Sequence, residues 1–164
     1  MTRLRKINLT GLLIVATAIA GGCRRAEGPV QPIAYSHKLH AGDLKIACLY
    51  CHFNAARSTA AGVPPLDTCY GCHKLVKLKS PEIMKVMKSF EAKQPITWVR
   101  IHSLPEYVYF SHKRHVRVGL ACQTCHGEIQ TMERVSQFAP LTMGWCLDCH
   151  EQRGGPRDCD VCHK

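Results

Sequence analysis

The chain has 164 residues, 11 of them cysteine and 10 histidine. With 46% hydrophobic and 21% charged residues, wholesale disorder is excluded. The 4 Phe, 2 Trp and 5 Tyr make only a thin core, so something other than side chains is expected to fill the interior. The net charge of +10 taken alone suggests nucleic acid or an anionic membrane. However, the basic residues are spread along the chain, and three of them lie in the first six positions.

Arg3, Arg5 and Lys6 form a basic start, followed by an uncharged stretch from Ile7 to Gly22 with its apolar centre at Leu12 to Ala16. At 16 residues this stretch is short for a membrane-spanning helix, which needs about 20 apolar residues, and it suits a secretory signal peptide over residues 1–22. It ends in Ile19-Ala20-Gly21-Gly22-Cys23, which resembles the lipobox of bacterial lipoproteins, in which the cysteine is lipidated. An ordinary signal peptide is the alternative. The expected mature protein is exported, tethered through Cys23 and residues 23–32, and held on the periplasmic side of a bacterial membrane.

A first unit follows at residues 33–79. It opens on Tyr35-Ser36-His37-Lys38-Leu39-His40 and carries Cys48-Leu49-Tyr50-Cys51-His52 and Cys69-Tyr70-Gly71-Cys72-His73, with Gly62-Val63-Pro64-Pro65 as a breaker between them. A connector spans residues 80–107. Ser80 caps a predicted helix with Pro81 at its first position, and Ile83, Val86, Met87 and Phe90 fall on one face. Pro95 ends it, and Trp98, Val99 and Ile101 read as extended up to His102. The second unit, residues 108–164, opens on Phe110-Ser111-His112-Lys113-Arg114-His115. It carries three motifs: Cys122-Gln123-Thr124-Cys125-His126, Cys146-Leu147-Asp148-Cys149-His150 and Cys159-Asp160-Val161-Cys162-His163. The two histidine pairs are 75 residues apart and the first motifs 74, an internal repeat. Short helices are expected at the motifs, and few strands.

All five motifs are C-x-x-C-H, the attachment signature of haem c. Two thiols three positions apart can each form a thioether with one haem vinyl group, and the adjacent histidine then lies under the ring to ligate the iron. Zinc ribbons also use paired cysteines, but zinc does not require a histidine after every second one. A disulfide scaffold suits an exported protein, yet it gives the five histidines no role. Five covalent haems c are therefore expected, with His52, His73, His126, His150 and His163 as proximal ligands. Without residues 1–22 the balance is 19 Lys and Arg against 12 Asp and Glu, and about ten propionates would bring the holoprotein near neutrality. Nucleic acid then loses its support as a partner, and the macrocycles supply the missing core.

The remaining histidines, His37, His40, His102, His112 and His115, number one per haem, as bis-histidine ligation throughout requires. Met84, Met87, Met132 and Met143 are the alternative sixth ligands, although methionine more often serves packing.

The chain resembles the class III multihaem cytochrome c superfamily, in which a His-x-x-His pair precedes clustered C-x-x-C-H motifs. Tyr35 to His40, Cys48 to His52, Ile96 to His102, Leu104 to His115, Cys122 to Gly127 and Leu141 to His150 carry a closer likeness. They resemble the pentahaem cytochrome subunit of alternative complex III, a quinol-oxidising membrane complex. The resemblance implies a compact, mainly α fold with little regular secondary structure, two haem-binding repeats and the haems as core. It implies that His37 serves the Cys48/Cys51 haem and His112 the Cys122/Cys125 haem, while His40 and His115 reach other haems. It implies partners that include integral membrane subunits or iron–sulfur proteins of the molybdopterin type.

An iron with two histidines has no open position for substrate, so the expected role is electron transfer rather than catalysis. The chain would pass electrons between a quinone-linked membrane complex and a periplasmic acceptor. A free-standing lipid-anchored shuttle is the alternative. A multihaem oxyanion reductase, which needs an open iron, is a further one.

Overall fold

The computed structural model describes residues 27–164; the expected signal peptide and Cys23 lie outside them. The architecture is mainly α with little regular structure. The helices are α1 (Cys48–Cys51), α2 (Leu66–His73), α3 (Pro81–Glu91), α4 (His112–Arg117), α5 (Gln123–His126), α6 (Met143–Arg153) and α7 (Cys159–Cys162). A π-helical turn at Lys38–Asp43 and 3-10 turns at Phe53–Ala56 and Ile129–Thr131 complete the set. Among the described residues the β structure is confined to a single antiparallel bridge between Val108 and His163.

The side-chain core is as small as the composition implies. Ile33, Ala55, Val86 and Ala139 are the buried apolar residues among those described, and no large side chain is fully enclosed. Leu49, Tyr50, Val63, Leu75, Leu78 and Met84 lie exposed instead. Apolar residues left facing outward around cysteine motifs suit a chain whose interior is completed by apolar prosthetic groups.

Helix α3 forms where expected. Val86 is 4% exposed, and Phe90 stacks on Tyr70 of α2 with ring centres 4.0 Å apart and planes 4° from parallel. This contact fixes the connector against the helix that carries Cys69 and Cys72. Ser80 sits at the cap position, but its side chain makes no capping bond. The connector helix therefore starts on the geometry of Pro81, whose fixed φ suits the first turn. The helix stops at Glu91, four residues before Pro95, and Lys93 takes a positive φ of 55°. Residues 95–101, expected as extended at Trp98 to Ile101, have no regular secondary structure, and the Trp98 N–H turns back on the Ile96 carbonyl at 3.1 Å.

The segment expected as a tether is docked in its described part. Glu27 pairs with Arg134 at 2.7 Å, and Gln31 bonds both backbone groups of Val99, at 2.9 and 3.0 Å. One side chain amide thus substitutes for a strand neighbour, satisfying a donor and an acceptor that would otherwise face solvent. Ile33 is buried directly after it.

Candidate haem centres

Each motif lies on one helical turn, which brings cysteines three positions apart to the same side. The histidine N–H closes that turn on the first cysteine: His52 on Cys48 at 2.9 Å, His126 on Cys122 at 3.0 Å and His163 on Cys159 at 2.9 Å. The other two motifs are embedded in the longer helices α2 and α6. All ten motif cysteines are unpaired, and each is exposed or half-buried. Among the described residues, no three of His, Cys, Asp and Glu converge as a bare metal ion would need.

The histidines pair across space. His37 faces His52 with ring centres 6.4 Å apart, and His112 faces His126 at 6.3 Å, the planes within 6° and 8° of parallel. His40 faces His73 at 6.2 Å, and His115 faces His150 at 6.0 Å. An iron bonded at about 2 Å to one nitrogen of each of two imidazoles, with ring centres about 1.1 Å further back, spans about 6.2 Å. The four pairs fit that span, whereas direct hydrogen bonding or ring packing would bring imidazoles closer.

The hydrogen bonds fix which nitrogen is free. The Nδ1 atoms of His40, His52, His73, His112 and His115 donate to the carbonyls of Ser36, Gly62, Val76, Thr59 and Ser111 at 2.8–3.2 Å, and His150 donates to Pro156. A carbonyl only accepts, so the proton must sit on Nδ1 and the lone pair on Nε2, the arrangement of a metal-ligating imidazole. The loop Gly62 to Pro65, read from sequence as a breaker, and the loop Gly154 to Pro156 supply two of these carbonyls. Gly154 takes the left-handed conformation that ends α6 and turns the chain back toward His150. Burial, then the neighbouring histidines, holds His37 and His126 down at about 4, so both rings are neutral near pH 7. The His37 Nδ1 is buried without a hydrogen-bond partner among the described residues.

The repeat is structural as well as sequential. Tyr35 stacks on His40 at 4.4 Å and meets His37 edge-on at 4.8 Å; Phe110 treats His115 and His112 the same way, at 4.5 and 4.8 Å. The units differ in backbone. His40 lies in a π-turn, and His115 in α4.

Neighbouring thiols reveal the order of the sites. Burial and then Cys69 and Cys72 push the Cys51 thiol up. Burial and then Cys48 act on Cys122, burial and then Cys149 and Cys146 on Cys125, and burial and then Cys162 on Cys146. The attachment sites therefore form a row: 69/72, 48/51, 122/125, 146/149, 159/162. The first motifs of the two units meet near its middle.

His102 falls outside the pairing expected of it. It packs edge-on against His126 at 4.6 Å, with its Nε2 3.4 Å from the His126 Nδ1. The ring facing His163 is that of Tyr107, 5.8 Å away.

Residues 108–164 match the family described as cytochrome c7 and related cytochrome c. The chain is 26% identical over 161 residues to the multiheme cytochrome c subunit of a menaquinone reductase from Nitratidesulfovibrio vulgaris, covering 82% of this chain and 77% of that protein. This protein is thus similar to multihaem c-type cytochromes along most of its length, and to the cytochrome c7 group throughout its second histidine-and-motif unit.

Proposed function

We propose that the chain is a five-haem electron carrier serving a quinone-linked membrane complex, as the haem subunit that exchanges electrons with a periplasmic acceptor. Ten thioethers, at Cys48, Cys51, Cys69, Cys72, Cys122, Cys125, Cys146, Cys149, Cys159 and Cys162, would hold the haems. His37 with His52, His40 with His73, His112 with His126 and His115 with His150 would complete four irons. The haem supplies the one-electron couple; the chain holds, orients and insulates it. Backbone carbonyls fix the imidazole tautomers, and Tyr35 and Phe110 hold the paired rings in place. The row of attachment sites gives electrons a path from the Cys69/Cys72 end to the Cys159/Cys162 end.

The four imidazole pairs carry this reading, because two histidines on one iron leave it no position for substrate and restrict it to electron passage. Relation to a menaquinone reductase subunit, and the resemblance to the alternative complex III cytochrome, both support a quinone-linked partner. Cys23, once lipidated, would keep the protein at the membrane where such a partner lies. The test is to purify the complex from detergent-solubilised membranes and measure its composition. Five covalent haems on this chain, with copurifying integral membrane or iron–sulfur subunits and reduction by menaquinol, are expected. A chain that elutes alone and fully loaded would make it a free shuttle instead.

A further inference from the structure

We propose that the haem site at Cys159, Cys162 and His163 has no histidine opposite His163, and that it is where this protein takes a small neutral ligand at iron, of the class of carbon monoxide or nitric oxide. The inference rests on the five-haem reading and concerns the last site alone.

Four of the five histidines outside the motifs are spent on four motif histidines, at 6.0–6.4 Å. The fifth, His102, turns its Nε2 to the Nδ1 of His126 at 3.4 Å. That nitrogen is the one a distal ligand would need. His163 is faced instead by Tyr107, with ring centres 5.8 Å apart and planes 29° from parallel. A phenol bonds iron through an oxygen that stands outside its ring, so ligation would need a wider spacing than an imidazole pair. Tyr107 sits closer than any of the four pairs, too close for its oxygen to complete the iron, so a ligand enters only as this exposed ring turns aside.

The backbone holds this arrangement. Val108 bridges His163, and the Tyr109 N–H donates to the Cys162 carbonyl at 2.8 Å, pinning residues 107–109 along the last motif. Tyr107 is 61% exposed, so its ring borders solvent and is free to turn aside for a diatomic molecule. The site also ends the row, next to Cys146. A ferrous iron with one imidazole favours neutral π-acceptor ligands, and steric access beside it limits their size.

The test uses the purified full-length holoprotein, after intact mass has established five haems. Carbon monoxide titration of the reduced protein should saturate at one equivalent per chain, and one ferric haem in five should be high-spin. Tyr107→His places an imidazole at that spacing and should abolish carbon monoxide uptake. His102→Ala should leave it at one. The proposal is overturned if the wild type takes up none, if Tyr107→His still binds one, or if His102→Ala binds one more than the wild type. A mass of fewer than five haems would instead overturn the five-haem reading itself.

Discussion

Replacing His102 by alanine separates a supporting residue from a ligand. Burial, then His112, lowers the His102 pKa, so the ring is neutral near pH 7 and its Nε2 can accept the His126 Nδ1 proton at 3.4 Å. That bond gives His126 some imidazolate character, which favours ferric over ferrous iron and lowers the potential. A neutral hydrogen bond contributes about 0.5–1.5 kcal/mol, and this length belongs at the weak end, about 0.5 kcal/mol. At about 59 mV per tenfold change for a one-electron couple, its loss should raise one midpoint potential by roughly 20 mV. Spectroelectrochemical titration of wild type and His102→Ala measures this, and His102→Gln, which keeps an acceptor, should recover part of the shift. The reasoning fails if no potential moves while one low-spin haem becomes high-spin, because His102 would then be an iron ligand.

His40→Ala should open one further iron by removing the ring that faces His73 at 6.2 Å. Five haems should remain attached, with one more carbon monoxide bound than in the wild type. Val86→Ala removes two methyl groups from a side chain 4% exposed between α3 and its neighbours, and should cost about 2 kcal/mol in thermal or denaturant unfolding. The exposed Met84→Ala on the same helix should stay within about 0.5 kcal/mol. Cys23→Ala should release the protein from membranes, or leave it unprocessed, with normal haem loading. Thiol labelling of the mature wild-type protein should find no free cysteine, since ten would be in thioethers and Cys23 lipidated.

Much of this molecule is legible in its sequence, because thioether chemistry demands fixed residue types at fixed spacing. The five motifs and the repeated aromatic-Ser-His-x-x-His segments announce themselves without any secondary-structure reading. The stripe of Ile83, Val86, Met87 and Phe90 likewise reads as a packing face, and Phe90 on Tyr70 shows what it packs against. The backbone carbonyls of Gly62, Val76, Thr59 and Pro156 could not be found this way, since any residue type supplies a carbonyl. The position of His102 depends on how the connector folds across the second unit, which no local pattern encodes. Counting one spare histidine per haem assigns His102 to an iron, whereas its ring packs edge-on against His126. Tyr107 has no ligand pattern around it: it is an exposed tyrosine beside a proline-containing turn, and the Val108–His163 bridge with the Tyr109 N–H on the Cys162 carbonyl brings it beside the last motif.

The central claim is that paired histidines close four irons and confine them to electron transfer. Near-infrared magnetic circular dichroism of the oxidised holoprotein tests it most directly, because it distinguishes histidine–histidine from histidine–methionine ligation and counts low-spin haems. Four low-spin haems with the histidine–histidine signature per chain are predicted. Fewer than four, or a methionine-ligated haem among the sites of His52, His73, His126 and His150, would contradict the account.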